Sequence, residues 1–402
     1  MTTLRLRRLA GLALAACAVA QTVLPPSSGY YEVVDLGKMP GVDDYGGIAF
    51  PPGEPHTLLT SAYGSGEIRA VPLVRGGQGR IVGSGPSTVR ATVGGNDGGL
   101  AFGPGGVLFF TWYGPNRLGQ IEPGSSSPDR VLDLGPLGVS GTVGTCAFVP
   151  PGRQGAGRFK VASYAGSRVH DLTLVPDGNG TFSIASVSPG VQIQGGPEGM
   201  VYPPLGSPLL GQSVLVAEWD TGGVTAYSTD QNGDPMPASR QLVVAGLGAT
   251  GGGAIDPVSG DFLFTAGNGH LVALRLGATC GAITSYGQAT PGAAGTPRLT
   301  GVGCARLGEV VTLRVDGPPN GVGVLALGSF PVNVPFQGLT VLTNLEVVIG
   351  SGLGGTGVMV APLYLPATPS LGNRHFYFQA AYLDPTTPSG LTATAGLDLW
   401  VR

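Results

Sequence analysis

The sequence predicts an all-β chain: a five-bladed β-propeller whose N-terminal strand closes the last blade, then a C-terminal antiparallel β-sandwich. Three observations carry this reading. First, five segments open alike: Gly47-Ile48-Ala49-Phe50, Gly99-Leu100-Ala101-Phe102, Thr145-Cys146-Ala147-Phe148, Gly199-Met200-Val201-Tyr202 and Gly253-Ala254-Ile255-Asp256. Their starts lie roughly 50 residues apart, the period of a four-stranded blade. Second, a Pro/Gly turn and a short apolar run follow each: Thr57–Ala62, Val107–Trp112, Phe159–Ser163, Ser213–Glu218 and Asp261–Thr265. These runs are too short for helices and rich in branched and aromatic residues, as strands are. Third, a further strand starts at Ile68, Leu118, Val169, Val224 and Leu271, and five residues before each stand Tyr63, Tyr113, Tyr164, Trp219 and Ala266.

The elements follow in order. Residues 1–20 read as a targeting segment, with Arg5, Arg7 and Arg8 before an apolar run, Leu9 to Ala20, too short to span a bilayer. Ala18-Val19-Ala20 before Gln21 is a small-x-small cleavage site, and Leu14-Ala15-Ala16-Cys17 resembles a lipobox that would put a lipid on Cys17. The expected location is therefore secreted, periplasmic or cell-surface, with free secretion and lipidation both open. Tyr31-Glu32-Val33-Val34-Asp35-Leu36-Gly37 resembles the strand Arg130-Val131-Leu132-Asp133-Leu134-Gly135, an outermost strand of the second repeat. Arg240 to Val244 is the matching strand of the fourth repeat, and the fifth repeat lacks one before the composition changes near Gly277. The N-terminal strand supplies it, which pairs an edge that would otherwise be exposed.

Glycine makes up 72 of 402 residues and proline 35, without a Gly-X-Y period, which suits many tight turns between short strands. Net charge is −3 and Lys occurs only at positions 38 and 160, so no basic stripe argues for nucleic acid. Cys146 falls in an innermost strand and reads as a free core thiol. Cys280 and Cys304 flank one Gly/Thr-rich stretch and are expected to form a disulfide in an oxidising compartment.

The propeller is assigned to residues 30–277 and the second domain to residues 278–402. There Val310–Val315, Val322–Gly328, Leu339–Leu342, Leu345–Ile349, Gly357–Leu363, His375–Leu383 and Gly396–Val401 read as strands separated by Pro/Gly/Asn turns, the pattern of a sandwich. Phe376, Phe378 and Ala380 alternate with Tyr377, Gln379 and Ala381, so one set faces the core.

The repeats resemble NHL-type and gluconolactonase-like propeller repeats. Trp112-Tyr113-Gly114-Pro115-Asn116-Arg117-Leu118 is similar to the NHL turn, and Asn96-Asp97-Gly98 and Pro197-Glu198-Gly199 are similar to motifs of lactonase-type propellers. That resemblance implies a Glu, an Asn and an Asp around one divalent metal, with Glu198 and Asn96 or Asp97 matching two motifs. The C-terminal part resembles a sandwich domain found at the ends of many secreted bacterial proteins. Tyr286-Gly287, Ala326-Leu327-Gly328, Pro369-Ser370-Leu371-Gly372 and Tyr377-Phe378-Gln379-Ala380 carry this likeness. It implies an exported accessory domain.

By the repeat register, Tyr63, Tyr113, Tyr164 and Trp219 come to one level of the propeller's top face, with Trp112 and Glu218 beside two of them. Asp43, Asp44, Asn96, Asp97 and Glu198 fall in the loops leading into the inner strands. One reading is an aromatic, acidic cup for an unknown small molecule, glycan or protein segment. The other is that the rings pack blade against blade and the acids cap turns, as repeated positions in arrays do. Calcium at Asp97 and Glu198 would need about six to eight oxygen ligands, with Asp43 or Asp44 helping. Asp230, Asn232 and Asp234 alternate as in a calcium loop, but Pro235 replaces the needed Gly, so a hairpin turn is expected there, as at Asp177-Gly178-Asn179-Gly180. His170 and Asp171 are adjacent on a strand, point to opposite faces and form no dyad. No catalytic residue is assigned, and the expected function is binding by a monomer, with a lactonase-type hydrolase and a purely structural surface protein as alternatives.

Overall fold

The structure, a computed structural model, describes residues 21–402 apart from Asn96, Asp97 and Thr142. The expected targeting segment and Cys17 lie outside the described residues. The chain is nearly all β, and its N-terminal part is a β-propeller. Among the described residues of this part, five antiparallel sheets succeed one another, with innermost strands Ile48–Ala49, Leu100–Phe102, Val143–Phe148, Pro197–Val201 and Thr250–Ile255. Each innermost strand touches the next in that order, and the last touches the first, so the sheets form a closed ring.

The glycines at these strands set how tightly the ring closes. A methyl group on Gly47 would overlap the Gly98 carbonyl oxygen, one on Gly144 the Pro197 oxygen, and one on Gly199 the Gly252 oxygen. One on Gly252 would overlap the Gly46 oxygen. Neighbouring backbones meet where a side chain would stand, and the Gly47 amide donates to the Gly98 carbonyl at 3.2 Å. Bulges at Gly144 and Glu198 bend two of these strands as they enter the ring.

The ring is closed by the chain's beginning, as the repeats foretold. Tyr31–Lys38 lies antiparallel to His270–Leu276, with Tyr31 opposite Leu276 and Val34 opposite Ala273. That sheet runs Tyr31–Lys38, His270–Leu276, Phe262–Ala266, Thr250–Ile255 from rim to axis. The sequence offered no sign of a second lace: Thr22–Val23 pairs with Gln241–Ala245 of the fourth blade. The N-terminal segment thus holds the fourth and fifth blades together. One register detail differs from expectation. Ser61, Thr111, Ala162 and Ala217 face Ile68, Leu118, Val169 and Val224 in four blades, whereas the last hairpin is one residue tighter and pairs Thr265 with Leu271.

Aromatic residues end four of the inner segments, and Phe50, Phe102, Phe148 and Tyr202 pack against apolar clusters between blades. The fifth copy has Asp256 there, and the seam explains it. Asp256 is fully buried and takes both guanidinium nitrogens of Arg75, from the first blade, at 2.7 Å each.

The other junctions carry polar pins of their own. The Gln120 amide brackets Phe182, donating to its carbonyl at 2.7 Å and accepting from its amide at 2.8 Å. Arg153 donates to the carbonyls of Pro203, Gly211 and Ser213. Lys160, fully buried, meets Asp234 of the next blade at 2.7 Å and Asp171 at 3.1 Å.

In the C-terminal part, Ala282–Tyr286, Gly396–Trp400, His375–Leu383, Val322–Gly328 and Val347–Gly352 form one sheet in that order, and Arg298–Val302, Val310–Asp316 and Val358–Tyr364 form a second. Both sheets feed one core, which holds Leu299, Val311, Leu313, Leu325, Phe378, Ala380, Tyr382 and Leu399. The Phe376, Phe378, Ala380 set faces this core. On the opposite face the Gln379 amide is buried, bonding the Thr340 and Thr394 carbonyls and the Leu342 amide. The strand expected at Leu345–Ile349 starts at Val347, because Leu345 turns the chain at φ 52°. Cys280 and Cys304 are disulfide-bonded, and Cys146 is a buried free thiol whose pKa burial pushes far up.

Candidate functional site

The four repeated aromatics each open the turn between second and third strands of a blade. In three of these turns the first residue's carbonyl accepts the amide three residues on: Tyr113 from Asn116, Tyr164 from Ser167 and Trp219 from Gly222. Asn116, Ser167 and Gly222 adopt the left-handed conformation that completes the turn. The same turn, built on the same register, delivers the rings to one end of the propeller.

There they make one connected series. Tyr113 and Tyr164 lie 5.7 Å apart between ring centroids, and Tyr164 and Trp219 5.9 Å. Trp219 lies 6.5 Å from Tyr45, and Tyr45 stacks on Tyr63 at 6.2 Å with planes 6° apart. Tyr45 is the ring sequence reasoning missed. It has no counterpart in the other repeats and sits in the loop leading into the first inner strand, next to the named Asp43 and Asp44. Tyr63 is 52% exposed and Trp219 38%, so the series presents open aromatic surface.

Two expected members are not brought to this surface. Glu218 is fully buried, gripped by Arg240 at 2.5 Å, by the Tyr227 hydroxyl at 2.7 Å and by Thr221 at 3.1 Å. Trp112 packs edge-on against Phe110 at 5.4 Å, within an apolar cluster. Both stand one residue before a ring of the series. Successive strand residues point to opposite sides, so one of each pair must enter the blade.

Glu198 occupies a singular place. The residue just before the repeated opening is Gly46, Gly98, Gly144 and Gly252 in four blades and Glu198 in the fourth-blade copy. It is the bulged residue of its strand and is buried, its carboxylate against Gly144 of the neighbouring inner strand. One carboxylate thus stands in a ring of glycines at the axis. Burial first, then the Asp220 hydrogen bond at 2.9 Å, then the charges of Asp220, Tyr113 and, least, Glu198 raise the Tyr164 phenol to about 12.

The other acids have separate duties. Asp43 pairs with Lys38 at 3.2 Å, and Asp44 caps the Tyr45 amide at 2.9 Å. Asn96 and Asp97 lie outside the described residues. Among the described residues no three His, Cys, Asp or Glu side chains are grouped to hold a metal ion. The Asp230 loop is a hairpin turn as expected, its Oδ1 accepting the amides of Asn232 and Asp234 at 2.8 and 2.9 Å. Asp177 does the same for Asn179 at 2.8 Å. His170 and Asp171 diverge as expected: Asp171 pairs with Arg158 and Lys160, while His170 Nδ1 meets the Ser188 carbonyl at 2.9 Å and Nε2 the Ser140 hydroxyl at 3.3 Å.

No family model matches the chain, and no curated protein matches it. Its structural neighbours are gluconolactonase-like propeller proteins. Among them is XC5397 from Xanthomonas campestris, described as a gluconolactonase, at 14% identity and TM-score 0.39, covering 67% of this chain and 99% of that one. A Myxococcus xanthus glutaminyl cyclase is similar at 14% identity and TM-score 0.37, with 61% and 96% covered. An auxiliary nutrient binding protein from Bacteroides thetaiotaomicron is similar at 8% identity and TM-score 0.35, with 59% and 70% covered.

Proposed function

We propose that this chain is an exported binding protein whose propeller face of Tyr45, Tyr63, Tyr113, Tyr164 and Trp219 receives a small organic ligand. The residues after position 277 are its accessory β-sandwich domain. The observation that carries the reading is the unbroken series of five rings, from loops of four blades, with Tyr63 and Trp219 exposed. Open aromatic area flanked by a few polar groups is what small-molecule sites offer. The Cys280–Cys304 disulfide supports an oxidising compartment, and no helix among the described residues is long and apolar enough to cross a membrane. A metabolite and glycan screen on the intact chain tests the reading, with the Tyr63→Ala/Trp219→Ala double variant as control. Hits lost in the double variant support it, and hits unaffected by it place binding elsewhere.

Glu198 on the axis favours one second reading, a metal-dependent lactonase-type hydrolase. Calcium titration of the intact chain and of Glu198→Gln tests it: no calcium binding to the intact chain would remove this reading.

A further inference from the structure

Resting on the binding reading above, we infer that the ligand of the aromatic face is an organic cation, an alkylammonium or quaternary ammonium group. The face combines ring surfaces with carboxylates, and both favour positive charge. A ring presents its negative quadrupole from its face, and a cation within about 6 Å of the centroid is attracted to it. Tyr63, Tyr45, Trp219, Tyr164 and Tyr113 bring five rings into one continuous patch, with Tyr63 and Trp219 exposed. Exposed Asp220 joins it through the Tyr164 hydroxyl, and Asp44 adjoins Tyr45. Glu198 adds a carboxylate on the axis, where four sister positions carry no side chain.

The cations of the surrounding turns are already engaged. Lys38 is paired with Asp43, Arg69 with Glu67 and Arg117 with Asp133, while Arg168 donates to the carbonyls of Pro189 and Gly190. Arg168 keeps its charge, and against that one charge stand the two carboxylates of Asp220 and Asp44, so among these residues the balance at the rings is negative. A neutral sugar would use the rings and leave this charge unmatched, and an anion would be repelled. A cationic group matches both features, and methyl groups around it would also cover the ring surfaces.

The test is calorimetric titration of the full chain with three probes: choline, its neutral carbon isostere 3,3-dimethylbutan-1-ol, and glucose. Choline should bind about tenfold or more tightly than the isostere, the difference being the cation's attraction to the rings and acids. Its affinity should fall as salt is raised, since exposed charges are screened. Trp219→Ala should weaken choline binding about tenfold, and Asp220→Asn, which leaves the rings in place, should weaken choline without changing the isostere. Equal affinity for choline and isostere, or binding of glucose alone, would overturn the cation assignment and leave the binding face standing. Failure of all three to bind would overturn the assignment, and the broader screen above would then decide the binding reading separately.

Discussion

Arg75 and Asp256 meet across the seam between the first and last blades in a two-pronged ion pair, with both nitrogen–oxygen distances 2.7 Å. Both side chains are almost wholly out of water, at 8% and 0% exposure. Removing one partner strands the other's charge in the interior, which costs about 3–5 kcal/mol. Asp256→Ala should lose that much stability in denaturant unfolding. Replacing the pair together, as Arg75→Met/Asp256→Leu, should recover most of it. A loss below about 0.5 kcal/mol for the single variant would show that the seam does not depend on this pair.

Glycine at the inner strands is required by contact with the neighbouring backbone. Gly199→Ala drives a methyl group into the Gly252 carbonyl oxygen and should destabilise by about 1–3 kcal/mol or more. Gly83→Ala, on an outer strand with nothing within 4 Å, should change stability by less than about 0.5 kcal/mol. Thermal melts of the two variants side by side measure the contrast. Equal melting temperatures would refute the close approach of the inner strands.

Lys160 is buried between two carboxylates, and its loss should create a pH dependence. Burial raises the pKa of Asp234, and Lys160 opposes that rise. In Lys160→Met the opposition is gone, so the folded state holds the Asp234 proton more strongly than the unfolded chain does. A raised folded pKa gives stability that is present below the ordinary carboxylate value and lost as pH rises through the folded one. The variant should therefore melt progressively lower, relative to the native protein, as pH rises from about 4 to 7. A constant difference across that range would contradict the burial of an uncompensated carboxylate.

Two tyrosines should make stability fall at alkaline pH. Burial, first, and then nearby charge raise the Tyr164 and Tyr286 phenols to about 12, against about 10 in an unfolded chain. Folding thus favours the neutral phenols, and that contribution is intact below pH 10 and lost as pH rises toward 12. Melting temperature should drop across this interval, and Tyr286→Phe should flatten the drop. A variant curve parallel to the native one would show that this phenol does not titrate late.

Much of the fold was legible because the repeat wrote four blades in the same register, and one aromatic in each of those four hairpins marked the face. The closing strand was legible for the same reason, as a copy of the Arg130 strand without a blade of its own. Thr22–Val23 was not, since two residues pairing at a distance carry no periodic signal. Tyr45 was not, because it occurs once and repeats nowhere. Glu218 and Trp112 were readable and misread: the alternation that separates His170 from Asp171 also separates them from Trp219 and Tyr113. The use of Asp256 at an aromatic position became clear only when the seam brought Arg75 to it.

In the proposed function the five rings act as one ligand-facing surface, and Trp219 reports on it directly. With Trp112 and Trp400 replaced by Phe, Trp219 is the single remaining tryptophan of the three in the chain. Its fluorescence should change saturably on titration with choline, with the same dissociation constant that calorimetry gives. Choline binding seen by calorimetry with no change in Trp219 emission would contradict the placement of the site on this face.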